Sequence, residues 1–311
     1  MKLYNDIEIP DVAFGTGVIK RFYRNKPLYF KDQLISFLAS VKHFKLVRKL
    51  KNDLLIKKIL TNAINIGYKI IDTGRLYGHS EKYVGDVLKK SNRKDLFIIS
   101  KVSDVDLQRY SFASTVKENL SITLKNLGVD YIDSYLLHFP HGNWIQMYKD
   151  IETEYTNGRV RSIGVCNFDV DELKQLMEFA HIKPMICQVE MNPLNTKNEL
   201  INFCKSHDIV VMAHSPTGHM DKRILQSNVM KSLSTKYNKT IAQIIYKWHV
   251  QKGVIPIVSS VSMSHLLSNL NIQDFNLAKE ELDAIDTLNE NFSFDKNNNK
   301  MNDCPNFIYN I

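Results

Sequence analysis

The sequence of 311 residues contains few cysteines and no long hydrophobic run. The cysteines are Cys166, Cys187, Cys204 and Cys304. They have neither the spacing of a metal site nor the density of a disulfide framework, which favours reduced thiols in a cytoplasmic protein. No apolar stretch approaches the roughly 20 residues that span a bilayer, and none follows a basic N-terminal region, so we expect neither a membrane span nor a secretory signal.

The sequence also lacks the linkers and the glycine pattern of two common architectures. No Gly- or Ser-rich linker divides it, so we predict a single domain over residues 1–311. A dinucleotide-binding Rossmann unit opens with a Gly-x-Gly-x-x-Gly turn. The nearest candidate, Gly15-Thr16-Gly17, has no third glycine at that spacing, which disfavours such a unit.

Positive charge is concentrated in one segment of the chain. The net charge is +8, and the stretch from Val18 to Lys51 holds ten basic residues and one acid, Asp32, which gives a local charge of +9. The remaining residues therefore carry −1. The basic composition does not extend over the whole surface, and we expect no nucleic-acid partner.

Short apolar segments alternate with segments of helical periodicity. The predicted strands are 12–15, 69–72, 96–100, 131–138, 162–165, 186–190, 209–213 and 254–256, and the predicted helices are 34–47, 54–64, 114–124, 171–179, 197–206 and 241–251. This alternation predicts a parallel sheet, either doubly wound or closed. Eight strands without a Rossmann turn favour an α/β fold of the (β/α)8 TIM-barrel type, whose active site lies at the C-terminal strand ends.

Polar residues stand at the ends of successive predicted strands. Asp72 ends the second strand, and Tyr77 follows it in a turn closed by Gly78. Lys101 follows the third strand, and His138 ends the fourth. Each residue type is usually structural when it occurs alone, as a turn cap, a solvated cation or a hydrogen-bonded ring. Their joint occurrence at one end of a parallel barrel predicts a catalytic site.

These four side chains together have the chemistry of a proton donor to oxygen. The pKa of free tyrosine is near 10, and the Lys101 ammonium is expected to lower the pKa of Tyr77 by stabilising the phenolate. Asp72 would hold the lysine in place, and His138 would donate to, or orient, a carbonyl oxygen. Such a set would protonate an oxygen while a hydride reaches its carbon. It contains no activated nucleophile and no metal-ligand spacing, so we predict no metal site.

The motifs around these residues resemble those of the aldo-keto reductase superfamily. They are Asp72-Thr73-x-x-x-Tyr77-Gly78, residues 127–133 leading to His138-Phe139-Pro140, residues 158–168, and residues 184–193 with Gln188 and Glu190. The resemblance covers the chain except residues 18–50 and the C-terminal tail. It identifies Asp72, Tyr77, Lys101 and His138 as the family's catalytic tetrad.

The resemblance implies an extended nicotinamide cofactor, most often NADPH, with NADH as an alternative. The implied binding residues group by the part of the cofactor that they contact. They are Cys166, Asn167 and Gln188 for the carboxamide; His214 for stacking below the nicotinamide ring; Ser215 and Pro216, with Thr217 and Gly218, for the pyrophosphate; Thr16 and Gly17 for the ribose; and Ser259, Ser260, His265 and Asn269 for the adenosine end. Asp72 also belongs to this set.

Several positions depart from the family pattern. Cys166 replaces a serine, His214 replaces the stacking tyrosine, and Phe139 replaces a tryptophan. The segment after Pro256 lacks the Lys-Ser pair and the later arginine that many members use for the 2′-phosphate. Its spacing to Asn269 resembles instead the subgroup of potassium-channel β-subunits and bacterial relatives. This leaves the choice between NADPH and NADH open.

The basic segment, residues 18–50, is predicted to be a helical insertion after the first strand, which places it on the active-site face. The simpler interpretation is a solvated, lysine-rich helix. A sharper hypothesis is a lid whose cations supply the missing phosphate contacts, and a membrane-surface role is weaker. Residues 293–311 are predicted to form an irregular tail.

The sequence thus predicts an NAD(P)H-dependent oxidoreductase that transfers a hydride to an aldehyde or ketone. Tyr77 would be the general acid, tuned by Lys101 and Asp72. The alternative is a weakly active, nicotinamide-binding regulatory subunit, which the insertion and the altered cofactor residues favour somewhat. The intact tetrad favours the enzyme. We predict a small carbonyl substrate as its ligand, and no pattern assigns the identity of that substrate or an oligomeric state.

Overall fold

Eight parallel strands close into a barrel in chain order. The computed structural model describes residues 1–17, 42–109 and 114–294. The strands in these ranges are β1 (Ala13–Gly15), β2 (Ile70–Asp72), β3 (Phe97–Val102), β4 (Ser134–Leu137), β5 (Ile163–Cys166), β6 (Ile186–Glu190), β7 (Val210–His214) and β8 (Val254–Val258). Every strand pairs in parallel with its two neighbours. The last strand, β8, pairs with β1, which closes the barrel. The predicted (β/α)8 TIM barrel is confirmed.

Helices surround the barrel. Those within the described ranges are α1 (Lys42–Asn65), α2 (Ser80–Leu88), α3 (Asp104–Arg109), α4 (Val116–Leu127), α5 (Trp144–Thr156), α6 (Val170–Phe179), α7 (Asn198–Ser206), α8 (Lys222–Gln226), α9 (Asn228–Tyr237), α10 (Ile241–Gln251), α11 (Met263–Leu270) and α12 (Lys279–Asp286). In the part of the chain that the structure describes, none of these helices has the length and apolar character that crossing a bilayer requires.

Strand residues alternate between the barrel interior and the layer below the helices, because side chains of a strand point to opposite faces in turn. In β3, Phe97 and Ile99 pack in the interior, whereas Ile98 and Val102 pack against helices. Lys101 continues the inward series of Phe97 and Ile99. A lysine at this position therefore points into the barrel mouth rather than into solvent.

The N-terminal residues cover one end of the barrel. An antiparallel bridge joins Lys2 and Glu8, and Leu3 and Ile9 are buried in the interior cluster. Their neighbours in that cluster include Phe97, the first residue of β3. The hairpin thus lies at the N-terminal strand ends, which leaves the C-terminal ends for ligands.

Some predicted boundaries were wrong. Strand β3 runs to Val102, so Lys101 lies within the strand instead of following it. The two helices predicted at 34–47 and 54–64 are, from Lys42 onward, one continuous helix, α1. Residues 18–41 of the predicted insertion and residues 295–311 of the predicted tail lie outside the described residues.

Candidate active site

A buried ion pair lies at the C-terminal end of the barrel. Lys101 Nζ donates to Asp72 Oδ1 at 2.6 Å and to the carbonyl oxygen of Thr73 at 2.8 Å. Burial, the largest single influence, would lower the pKa of Lys101, but Asp72, Tyr77 and Cys166 together outweigh it and hold that pKa above its ordinary value. Lys101 is therefore an ammonium in a fully buried position, where its electrostatic effect on neighbours is strong.

Tyr77 stands on a single 3-10 turn, Arg75–Tyr77, between β2 and α2. Lys101 Nζ lies 4.8 Å from the centroid of its ring. Burial raises the pKa of Tyr77 to about 12, although the Lys101 ammonium acts in the opposite direction. The predicted lowering of this pKa is thus right for the contribution of Lys101 and wrong for the net value, because lost hydration outweighs the ammonium.

His138 directly follows β4, and its backbone N–H donates to the Val102 carbonyl at 2.8 Å. Its ring meets the Tyr77 ring edge-on, with 5.7 Å between centroids, and stacks on Phe139 at 4.4 Å. The imidazole is buried. The structure therefore brings Asp72, Tyr77, Lys101 and His138 together around one point at the barrel mouth. Their catalytic roles stay a prediction.

The residues predicted for the nicotinamide carboxamide lie beside this centre. Gln188 Nε2 donates to Asp72 Oδ1 at 2.8 Å, and Asn167 Nδ2 donates to the His138 carbonyl at 3.0 Å. His214 Nε2 lies 3.0 Å from Asn167 Oδ1. Burial raises the pKa of the adjacent Cys166 thiol, which makes it a neutral group and no nucleophile. These contacts place amide donors and acceptors next to the ion pair.

The predicted ribose and pyrophosphate residues surround the same opening. The Thr16 backbone N–H donates to the Asp72 carbonyl at 2.9 Å, while its buried Oγ1 has no partner among the described residues. Gly17 is exposed, with open space where a side chain would project. Ser215 adopts a left-handed backbone with φ 50°, and buried Pro216 follows it.

The predicted adenosine-end residues are more scattered. Ser259 is exposed and Ser260 half-buried, directly after β8. His265 on α11 is exposed, whereas Asn269, one turn later, is 5% exposed and interacts with the Tyr68 hydroxyl. Asn269 is therefore the least accessible of the four to a ligand.

A nicotinamide dinucleotide fits these groups chemically. A carboxamide both donates and accepts hydrogen bonds, as the side chains of Asn167 and Gln188 do. The unpartnered Thr16 hydroxyl offers a further polar contact at the mouth. Hydroxyl groups and backbone N–H groups of the segment 215–220 are suited to a diphosphate.

With this geometry established, known proteins provide a comparison. Residues 49–290 match the Aldo/keto reductase family. The chain belongs to that family. As an aldo/keto reductase it is an NAD(P)H-dependent oxidoreductase that acts on carbonyl groups, which confirms the predicted class of reaction.

Two curated relatives of this aldo/keto reductase are bacterial enzymes. Glyoxal reductase of Bacillus subtilis (strain 168) is 36% identical over 293 residues, which cover 93% of this chain and 92% of that protein. Methylglyoxal reductase DkgA of Escherichia coli (strain K12) is 34% identical over 236 residues, which cover 74% and 83%.

Solved structures of aldo-keto reductases superpose over nearly the whole chain. One is MGS-M4, from a Medee basin deep-sea metagenome library, with a TM-score of 0.77, 31% identity, and coverage of 94% of this chain and 96% of that chain. Another is a Bombyx mori aldo-keto reductase in complex with NADP, with a TM-score of 0.77, 27% identity, and coverage of 99% and 98%.

Two features of this aldo/keto reductase site were not predicted. Leu76 and Val105 form a small buried apolar cluster against Tyr77 and Phe139, and this cluster makes an apolar wall beside the phenol. Leu76 precedes Tyr77 in the sequence and could have been identified from the motif. Ser103 and Asp106 mark the start of helix α3, which carries Val105, because the Ser103 backbone N–H donates to the Asp106 carboxylate at 2.9 Å and the Asp106 N–H donates to Ser103 Oγ at 3.4 Å. This signal could have located the helix, but the contact of Val105 with Tyr77 depends on tertiary packing.

The second missed feature is the contact between the carboxylate of Glu190, at the end of β6, and the segment after α12. The carboxylate accepts hydrogen bonds from Ser293 Oγ at 2.7 Å and from the Phe294 backbone N–H at 2.8 Å. Phe294 in turn meets the His219 ring edge-on at 4.9 Å. Glu190 therefore anchors the segment after α12 beside the segment 215–220, a contact between residues about a hundred positions apart that no local pattern indicates.

Proposed function

We propose that this aldo/keto reductase reduces small α-oxoaldehydes, such as glyoxal and methylglyoxal, with NADPH. The observation that carries the proposal is the fully buried Lys101 ammonium, held by Asp72 at 2.6 Å, beneath the Tyr77 ring. The names of the two bacterial relatives support the choice of substrate.

Tyr77 is the proton donor in this proposal. When bound, the reduced nicotinamide supplies a hydride to the carbonyl carbon. Tyr77 gives its proton to the oxygen on which negative charge develops, and the Lys101 ammonium stabilises the phenolate that remains. Asp72 keeps Lys101 charged and fixed in direction.

A pKa of about 12 for Tyr77 is compatible with this role. The phenol stays protonated over the physiological range, so the proton is present when it is needed. An alkoxide is a much stronger base than a phenolate, which makes the transfer downhill. Lys101 matters because it lowers the cost of forming a phenolate in a buried position.

His138 is proposed to orient the substrate. Its imidazole lies edge-on to the Tyr77 ring, so a carbonyl oxygen placed between the two could accept a hydrogen bond from each. Leu76, Val105 and Phe139 form the apolar wall on the same side, which suits a short substrate with little polar surface beyond its carbonyl groups.

NADPH is the proposed cofactor, supported by the family and by the NADP-bound insect structure. The proposed contacts are those given above for the carboxamide, ribose, pyrophosphate and adenosine. No lysine or arginine occurs between Lys252 and Lys279, so any preference over NADH at this end would depend on hydroxyl groups and His265.

The test is a binding titration followed by an aldehyde screen. NADPH and NADH are titrated by the fluorescence of the reduced cofactor, and oxidation of NADPH is followed with glyoxal, methylglyoxal, a long aliphatic aldehyde and a carboxylated ketone. We expect the two oxoaldehydes to have the highest kcat/KM. Tight NADPH binding with no oxidation by any carbonyl compound would contradict the proposal and favour the regulatory-subunit alternative.

We also propose a cytoplasmic location. Cys166, Cys187 and Cys204 are buried free thiols, the state expected in a reducing compartment. Immunodetection in fractionated cells tests this, and enrichment in an extracellular or membrane fraction would contradict it.

A further inference from the structure

A buried polar cluster lies behind the catalytic residues, between β3 and the helices α2 and α4. Its centre is the carboxylate of Glu81, in the first turn of α2, which is 2% exposed. Ser100 and Thr123 donate to its Oε1 at 2.7 and 2.8 Å, and Asn126 donates to its Oε2 at 2.9 Å. Arg75 Nη1 lies 3.5 Å from the same Oε2. Both carboxylate oxygens are therefore held from several directions.

Two partners of Glu81, Arg75 and Ser100, belong to the segments that carry Tyr77 and Lys101. Arg75 stands on the same 3-10 turn as Tyr77, two residues earlier. Ser100 directly precedes Lys101 in β3 and points away from the barrel mouth, as alternation along a strand requires. Glu81 thus connects the turn that holds the phenol with the strand that holds the ammonium.

Helix α4 supplies a fixed base for this connection. A side chain at Gly85 of α2 would come 2.3 Å from the Asn126 carbonyl oxygen, so only glycine allows α2 to pack this closely on α4. This close packing brings Glu81 within reach of Thr123 and Asn126. The hydroxyl groups of Thr73 and Ser80, 2.7 Å apart, close the same turn on its other side.

Burying a charged cluster costs more free energy than filling the same space with apolar side chains. Replacing a buried ion pair by apolar residues of similar volume is often neutral or stabilising. What hydrogen bonds to a carboxylate do provide is a fixed geometry, because each donor must lie at a defined distance and angle. A catalytic tyrosine and its lysine need such a geometry, since small misplacements reduce rates strongly.

We propose that Glu81 is a positioning residue that sets the placement of the Tyr77 hydroxyl relative to the Lys101 ammonium. The proposal rests on the proposed function, because it takes Tyr77 to be the proton donor. Glu81 contacts neither Tyr77 nor Lys101 directly. It acts through Arg75, two residues before Tyr77 in the sequence, and through Ser100, directly before Lys101.

The test compares Glu81→Gln with a matched control, Glu154→Gln. Glu154 is also 2% exposed and pairs with an arginine, with 2.8 Å between Arg159 Nη1 and its Oε2. It lies near the C-terminal end of α5, which leads to the start of β5 and therefore to the barrel end opposite the active site. Both substitutions keep the size of the side chain and remove its charge.

Four quantities are measured on each variant: kcat with methylglyoxal, the Kd for NADPH, the Tm, and amide hydrogen exchange of residues 74–81. For Glu81→Gln we expect kcat to fall by about 10- to 100-fold, the NADPH Kd to stay within about twofold, and exchange in residues 74–81 to become faster. For Glu154→Gln we expect a lower Tm with kcat and the exchange of residues 74–81 unchanged.

Each other outcome has a definite meaning. A Glu81→Gln protein with a lower Tm and an unchanged kcat overturns the proposal, as does an equal loss of kcat in both variants. If the unmodified protein reduces no carbonyl compound, the proposed function fails, and unchanged exchange in residues 74–81 would still overturn the role of Glu81. If Glu81→Gln does not fold, Ser100→Ala removes a single donor, and an unchanged kcat in that variant overturns the proposal.

Discussion

The two sides of the barrel mouth differ in charge and burial. On the side of β2 to β4, Asp72 and Lys101 form a buried ion pair. On the side of β7 and β8, Ser259 and His265 are exposed, and the backbone at Ser215, His219 and Met220 is left-handed. The first side is charged and enclosed, whereas the second is neutral and open.

The difference fits the two tasks that we propose for the two sides, proton transfer and dinucleotide binding. Proton transfer needs groups held within fractions of an ångström, and a buried, hydrogen-bonded ion pair provides this. A dinucleotide must enter and leave in every turnover, so its site benefits from exposed groups. Left-handed non-glycine residues, which are sparse in proteins and cluster at ligand sites, fit the second task.

Tyr77→Phe should have the largest effect, because it removes the proposed proton donor and leaves the ion pair intact. We expect kcat to fall by about 10²- to 10⁴-fold, while the NADPH Kd stays within about twofold. Steady-state kinetics and fluorescence titration measure the two values. An equal loss in kcat and in NADPH affinity would show that a change on the enclosed side also disturbs cofactor binding on the open side.

Lys101→Met tests how much the buried ion pair of the enclosed side contributes to the free energy of unfolding. The substitution leaves the Asp72 carboxylate buried without its cation, which typically costs about 3–5 kcal/mol. Chemical denaturation measures the free energy of unfolding. The control is Lys174→Met, whose partner Asp171 is 91% exposed and which should change stability by less than about 0.5 kcal/mol. Similar losses of unfolding free energy in both variants would contradict the expected contrast between the buried ion pair and the exposed one.

Asp106→Asn tests the enclosed side through the pH dependence of the free energy of unfolding. Burial raises the pKa of Asp106 from 3.8 to about 6, against the lowering effect of its hydrogen bonds from Ser103. Because the folded pKa is above the unfolded one, stability from this carboxyl is fully present below about pH 4 and is lost as pH rises through about 6. Asparagine cannot ionise, so the variant should be more stable than the unmodified protein by up to about 3 kcal/mol near pH 8.

The same comparison near pH 4 is the internal control for Asp106→Asn, since both side chains are then neutral and the gain should vanish. A variant of the exposed Asp171 to asparagine should show no gain at either pH. A stabilisation that does not depend on pH would contradict the assignment to ionisation.

On the enclosed side, the sequence predicted which residues meet, but it did not predict the net pKa shift of Tyr77. Asp72, Lys101 and His138 follow from the strand pattern, because residues at the C-terminal ends of parallel strands must meet. The net pKa shift of Tyr77 depends on how completely other elements exclude water, which no local pattern reveals. Glu81 was missed for the same reason: its partners Thr123 and Asn126 lie more than forty positions away.

The open side was predicted only through family resemblance, and its details are the least determined by local physics. Helix α11 has a serine, Ser262, at its N-cap, but the serine side chain makes no capping hydrogen bond to the first turn. Exposure of Ser259 and burial of Asn269 depend on how this helix lies against Tyr68, a contact made in tertiary structure. The fold and the positions of the proposed catalytic residues are therefore easier to predict from the sequence than the residues at the adenosine end of the site.

Ser259→Lys should have the smallest effect and bears on the open side alone. If the 2′-phosphate of NADPH lies near Ser259, an exposed lysine there should strengthen NADPH binding by up to about 1 kcal/mol, or roughly fivefold, without strengthening NADH binding. The control is Ser232→Lys on α9, which adds the same charge at another exposed serine. Because surface ion pairs are screened by salt, the gain in the NADPH-to-NADH affinity ratio should shrink at high ionic strength. An equal ratio in both variants would move the phosphate away from Ser259 and with it the predicted adenosine end of the site.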